Sequence, residues 1–285
     1  VARVVIDDRH GPLTDQLNQR MQMPHASQQA LLPVRSDDDI SPVAAEPRGL
    51  TYFNGTGGFS PDGREYQILL NEGQNTPAPW SNVLANADFG TVISESGQAY
   101  TWYENAHEYR LTPWENDPVS DSSGEAFYLR DEESGSVWSP APLPVRGAGG
   151  YVTRHGFGYS VFEHTERGIA SEMTVLVAEH APVKLIMLTL TNVSGRPRRL
   201  SVTGYVEWVM ADLRTKSAMH IVTSQARVTQ GCGVLATNHY TSNGGERTAF
   251  FAVTGAHCSV SGDRREFFGR AGSPASPAAM KNQRL

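Results

Sequence analysis

No run of apolar residues in this 285-residue sequence approaches the ~20 that a membrane helix requires. The first residues also lack the basic-then-apolar order of a signal peptide, so a soluble chain with no membrane segment is expected. Cysteine is scarce: Cys232 and Cys258 are the only two, 26 positions apart, without a Cys-x-x-Cys or a nearby His pair. That spacing gives zinc no support and predicts two separate free thiols, consistent with a cytoplasmic setting. Basic residues number 24 against 30 acidic, for a net charge of −6, and the arginines do not gather beside aromatics. Nucleic acid is therefore not an expected partner. The glycine-rich segment Gly55–Tyr66 has no Lys-Ser/Thr and opens no apolar helix, so it reads as a turn and not a phosphate loop. The acidic triplets Asp37–Asp39 and Asp131–Glu133 lack the alternating spacing and the glycine of a calcium loop and read as solvated turns. Neither a metal nor a cofactor is predicted.

What is present is turn chemistry and short strands. Gly 27 and Pro 17 sit slightly above ordinary usage, which points to many turns. Val1–Ile6 reads as a buried strand, Leu13, Leu17 and Met21 as a short amphipathic helix, and 25–49, with three prolines and no sustained period, as a linker. From Leu50 onward, strands are expected at Glu65–Leu70, Thr91–Ser94, Ala126–Arg130, Gly158–Glu163, Ala170–Val177, Val183–Asn192, Arg199–Met210, Met219–Ser224, Val234–Thr237 and Thr248–Thr254. Ser194-Gly195 predicts a hairpin between the sixth and seventh of these. In the seventh, Leu200, Val202, Val206 and Trp208 share one face, and Ser201, Thr203, Tyr205 and Glu207 the other. So many strands with almost no helix predict an all-β fold, a large antiparallel sandwich of two sheets. After Gly262 the strand pattern fades into small and polar residues, as in a chain cut short.

Four of the five tryptophans, Trp80, Trp102, Trp114 and Trp138, fall between Thr51 and His164 beside proline or polar residues. The densest stretch, Tyr100–Asp121, joins Trp102 and Trp114 to Asn105, Glu108, Arg110, Asn116 and Asp117. Sugars need that mixture, because pyranose C–H faces stack on aromatic rings while vicinal hydroxyls meet paired donors and acceptors. The competing reading is an ordered loop with buried tryptophans and mutually paired charges. In Arg154-His155-Gly156, arginine and histidine are expected to point to one side. A stand-alone epimerase or lyase would need a converging acid and base, and His155 with Glu163 is the pair to examine. A free carbohydrate-binding domain with a Trp102–Trp114 platform is the other alternative.

The motifs FNGTGGFSPDGREY, TPAPWSNVLAN, ENAHEYRLTPWENDPVSD, LRDEESGSVWSP, RHGFGYSVFEH, LTNVSGRPRRLSVTGYVEWV and GDRREFFGR, in one order from Leu50 to Gly272, resemble the β-sandwich domain preceding the catalytic barrel of cyclic β-1,2-glucan synthases. More distantly they are similar to cellobiose and chitobiose phosphorylases of glycoside hydrolase family 94. The resemblance implies a galactose-mutarotase-like supersandwich at 50–272, with 1–24 closing a preceding module and 273–285 leading to an (α/α)6 barrel. That barrel carries the inverting phosphorylase chemistry, so no catalytic residue is assigned here. Implied partners are a β-glucan oligosaccharide and the downstream barrel, and a homodimer is among the assemblies the resemblance allows. The implied parent is associated with the inner membrane, with this part cytoplasmic. Position in the family makes Asn105, Glu108, Arg110, Trp114, Asn116 and Asp117 candidate substrate contacts, and Trp102 joins them from the polar-aromatic stretch. The family pattern Asn-Ser-Arg-Glu-Asn-Arg stands where this chain has Asn105-Ala106-His107-Glu108-Tyr109-Arg110, so no arginine contact carries over to His107.

Overall fold

The structure is a computed structural model and describes residues 12–14, 30–36, 40–47, 49–228, 230–240, 247–255, 258–270 and 272–282. The predicted strand Val1–Ile6, the turn Asp37–Asp39 and the predicted helix beyond its start at Leu13 lie outside the described residues. Strands follow in the order β1 (Gly57–Phe59), β2 (Glu65–Leu70), β3 (Ser81–Ala85), β4 (Phe89–Ser94), β5 (Ala99–Tyr103), β6 (Glu125–Asp131), β7 (Val137–Trp138), β8 (Tyr151–Gly156), β9 (Tyr159–Glu166), β10 (Ile169–Val177), β11 (Lys184–Asn192), β12 (Leu200–Val206), β13 (Ile221–Val228), β14 (Gly231–Asn238) and β15 (Thr248–Thr254). Each of the ten predicted strands is there. One antiparallel sheet runs β1-β2-β8-β9-β10-β11, and three-stranded sheets β3-β4-β5, β12-β6-β7 and β13-β14-β15 complete the fold.

The period-two pattern explains the layering, because alternate side chains of a strand point to opposite faces. Phe162, Met173 and Val175 from the six-stranded sheet meet Leu84, Ile93 and Ala99 from β3–β5. Further along, Ile169, Leu188 and Leu190 meet Leu129, Trp138 and Leu200 from the sheet of β6, β7 and β12. The layer facing the six-stranded sheet is thus made in pieces. A buried ion pair sits between these pieces and that sheet: Lys184 of β11 binds Glu125 of β6 and donates to Thr101 of β5 at 2.7 Å, and Thr112 also donates to Glu125 at 2.7 Å.

Three local expectations need correction. Ser194-Gly195 is a turn, with Gly195 at φ 75°, but it joins strands of different sheets: β11 pairs with β10, and β12 with β6. Turn chemistry is local, whereas the pairing partner is decided by which core face the next strand buries. The turn at Asp131–Glu133 is not solvated. Arg198 binds Asp131 with both side chains almost fully buried, and Arg130 and Arg196 bind Glu132 and Glu133. The two cysteines are not free: Cys232 and Cys258 form a disulfide, so the inference from free thiols to a reducing compartment falls away. The stretch beyond Gly262 packs as a strap. Asp263 caps a short helix, Arg264–Phe268, and Phe267 and Phe268 bury themselves against Tyr128 and Tyr205 with Ala279 and Met280. Tyr205, on the polar side of its strand's pattern, is therefore half of a buried interface. Arg130 donates to the carbonyl of Met280 at 3.2 Å, and Tyr128 to that of Pro274 at 2.9 Å. Of the 25–49 segment, Leu31 meets the same edge, its N–H donating to the Lys281 carbonyl at 2.8 Å, while Val43 and Ala45 bond Gly150 and Asn71.

Candidate functional site: an aromatic row and two capped turns

Two side chains turn the sequence Tyr100–Ser123 into paired excursions from the β3–β5 sheet. The Asn105 carboxamide oxygen accepts from the N–H groups of His107 and Glu108 at 2.8 and 2.9 Å, which reverses the chain so that Arg110 bridges to Trp102. Asp117 repeats the device, accepting from the Val119 N–H at 2.9 Å and from the Ser120 hydroxyl, and Ser123 returns to bridge Trp114. The Ser120 hydroxyl and the Val119 N–H hold the exposed Asp117 carboxyl below its ordinary range. Asparagine and aspartate favour such turns because a short side-chain acceptor reaches the backbone two residues ahead.

Between these turns lies an aromatic row on the outer face of the sheet. Tyr100 and Trp102 of β5 have centroids 5.5 Å apart, and Trp114 stacks on Tyr100 at 4.8 Å with 6° between planes. The Arg110 guanidinium lies 5.7 Å from the Trp114 ring centroid. Trp102 lies flat because its partner across the ladder is Gly90, where a Cβ would come within 2.2 Å of the indole. Trp114 is 44% exposed and Val83, on the same outer face, 61%. On the other side of the second turn, a cleft of about 300 Å3 is lined by Pro113, Glu115, Asp117, Ser122, Ser123, Glu207 and Arg214.

The structure therefore brings three of the seven candidates, Trp102, Arg110 and Trp114, into one surface around Tyr100. Asn105 is spent on its turn. Glu108 reaches outward and meets the His107 ring at 2.8 Å, with both side chains exposed. Asp117 faces the cleft and not the aromatic row, and Asn116 occupies the left-handed region at φ 51°. The other two tryptophans of the sequence run are not surface groups: Trp138 is in the core, and Trp80 packs with Tyr66, Ile68, Leu70 and Tyr151.

Local sequence gave no hint of Arg247. From the position just before β15 its guanidinium lies 5.2 Å from the Tyr103 ring and 4.8 Å from Tyr109, and it donates to Glu104 at 2.9 Å. Glu104 sits at φ 60°, so this clasp fixes a backbone turn that L-residues otherwise avoid. With 143 positions between the partners, only tertiary structure brings them together.

Arg154 and His155 do not point to one side. His155 pairs across the ladder with Ser160 and bonds it at 2.9 Å, its other nitrogen meeting the Trp80 carbonyl at 3.0 Å. Burial lowers its pKa, so it stays neutral in the interior. Arg154, on the opposite face, binds Glu163 and Glu65 at 2.8 Å each. Ser160 and Glu163 are three positions apart on β9, so His155 and Glu163 face opposite sides of the sheet and form no acid–base pair. Among the described residues, the buried carboxylates of Glu95, Glu125, Asp131 and Glu166 each have a cationic, imidazole or N–H partner, Glu95 accepting from the Trp80 N–H at 2.7 Å. They are structural.

Comparison with known sequences decides the family. A model of the family described as "Glycosyl hydrolase 94, supersandwich domain" matches residues 64–285. The chain belongs to this family. The cyclic beta-(1,2)-glucan synthase NdvB of Rhizobium meliloti (strain 1021) is 38% identical over 98% of the chain, which corresponds to 10% of that protein. The N,N'-diacetylchitobiose phosphorylase of Vibrio furnissii is 31% identical over 80% of the chain and 29% of its own length. The solabiose phosphorylase of Paenibacillus borealis is 32% identical over 54% of the chain and 20% of its own length. This glycosyl hydrolase 94 supersandwich thus spans a tenth of the synthase and less than a third of either phosphorylase. Among its described residues, no helix is long and apolar enough to cross a membrane.

Proposed function

We propose that this supersandwich is a non-catalytic module of a β-1,2-glucan synthase, supporting a phosphorylase-like (α/α)6 barrel and offering the glucan a stacking surface at Trp102, Arg110 and Trp114. The observation that carries the reading is the 38% identity to a β-1,2-glucan synthase over 98% of the chain. The chemistry of the row agrees. Trp114 stacks on Tyr100 and is 44% exposed, while the Arg110 guanidinium over its ring brings N–H donors to the same surface. An aromatic face next to a planar array of N–H groups suits a pyranose ring and its hydroxyls. The structural commitments of the buried carboxylates, and the separation of His155 from Glu163, favour a module that leaves bond cleavage to a partner.

The test is an assay of the purified chain, shown to be folded by circular dichroism, for glucose 1-phosphate release from β-1,2-glucan and inorganic phosphate. The reading expects no release above background. Turnover by the isolated chain would place catalysis within the sandwich and overturn it.

A further inference from the structure

We propose that Cys232 and Cys258 form a redox-addressable modification site, where a dithiol–disulfide couple fastens or frees the joint between the β13–β15 sheet and the C-terminal strap. Cys232 lies on β14, the middle strand of that sheet, and Cys258 follows β15, with Cα atoms 6.1 Å apart. They are the only cysteines in the sequence, so oxidation within the chain has a single product. From Cys258 the backbone crosses β13: Gln225 donates to the Val260 carbonyl at 3.2 Å, and Gly262 lies so close to Thr223 that a Cβ there would sit 2.2 Å from the hydroxyl oxygen. The helix Arg264–Phe268 begins two residues later and packs on Tyr128 and Tyr205. The bond thus ties β14, whose Ala236 packs with Met210 and Ala249, to the segment that runs on to the strap, where Phe267 packs in a separate cluster with Tyr128 and Met280.

The exposure of the two residues sets the direction of reaction. Cys258 is exposed and Cys232 half-buried, so a thiolate of an incoming dithiol reaches Cys258 Sγ first. Its attack breaks the S–S bond, joins Cys258 to the reductant as a mixed disulfide and releases Cys232 as a thiolate. The second thiolate of the reductant then attacks its own sulfur in that mixed disulfide and frees Cys258. The protein gains two electrons and, in the end, the two protons the dithiol gave up; the dithiol leaves as a cyclic disulfide. An oxidised dithiol returns the site by the same steps in reverse. In the reduced state, segment 258–262 loses its covalent hold on β14.

The experiment compares the full chain before and after dithiothreitol, with iodoacetamide labelling read by mass spectrometry and backbone hydrogen exchange followed over residues 221–268. Protein purified in air is expected to take up no label, and two labels after reduction. Exchange at 258–268 is expected to rise at least about fivefold on reduction, while exchange across β8–β10 stays unchanged. The double variant Cys232→Ser/Cys258→Ser is expected to show the reduced pattern and no response to dithiothreitol. Two labels without reductant, or an exchange pattern that reduction leaves unchanged, would overturn the proposal. Because the reducing arm uses the unmutated chain, the outcome is decided even if the double variant does not fold.

Discussion

Gly90 and Trp102 face each other across the β4–β5 ladder so closely that a Cβ on Gly90 would sit 2.2 Å from the indole ring. The glycine is needed here for space and not for backbone freedom. Its absent side chain lets the indole lie flat over β4 and sets the level of the row that continues through Tyr100 to Trp114.

Gly90→Ala is therefore expected to lift Trp102 off the sheet and to cost about 1–3 kcal/mol, the range for overpacking a fitted contact. Urea unfolding followed by tryptophan fluorescence reads both effects, as a lower midpoint and a shifted native emission maximum.

Lys184 and Glu125 supply a second test. Burial pushes the Glu125 carboxyl up, but the Lys184 ammonium and hydrogen bonds from Lys184, Thr101 and Thr112 outweigh it and leave the carboxyl below its ordinary range. Lys184→Met strands a buried carboxylate and is expected to cost about 3–5 kcal/mol at neutral pH, whereas Lys184→Met with Glu125→Leu recovers most of the loss. Chemical denaturation of the single and double variants checks this.

Acid stability follows from the same group and from Asp131. Burial acts against ionised Asp131, while hydrogen bonds from the Glu133 N–H and Arg198 lower its pKa overall. A carboxyl with a lowered folded pKa contributes stability that is present above its unfolded pKa and lost as pH falls through the folded one. The melting temperature is expected to hold from neutral pH to about 5 and to fall below about 4, through the carboxylate range. Arg198→Met should shrink that acid-side loss, because the unpaired Asp131 no longer gains from being charged.

The disulfide closes a loop between positions 26 apart. Cys232→Ser/Cys258→Ser is expected to lose about 2–4 kcal/mol of stability relative to the oxidised chain, and to match the chain reduced with dithiothreitol. Urea melts of the three samples make the comparison.

Strands whose alternation and β-branched content stood out, such as Glu65–Leu70 and Thr248–Thr254, were legible in the sequence to the residue. Five others were not. β8 reads Tyr-Val-Thr-Arg-His-Gly and holds its half-buried arginine and histidine through partners on β2, β9 and the 76–80 loop, which no local pattern encodes. β5 lay hidden inside the polar-aromatic run, and β1, β3 and β7 are short. The strap was unreadable because its anchors, Phe267 and Phe268, have no period, and their pockets come from β6 and β12. The site was half legible. Composition marked Trp102, Arg110 and Trp114, but it could not separate them from Asn105 and Asp117, whose side chains are consumed by their own turns. Arg247 required the fold itself.

The most direct test of the account is calorimetric titration of β-1,2-glucan oligosaccharides into the folded chain and into Trp102→Ala and Trp114→Ala. The account predicts that the unmutated chain binds and that each substitution weakens binding about tenfold or more, equivalent to ~1.4 kcal/mol. Absence of binding by the unmutated chain, or equal binding by all three, would contradict it.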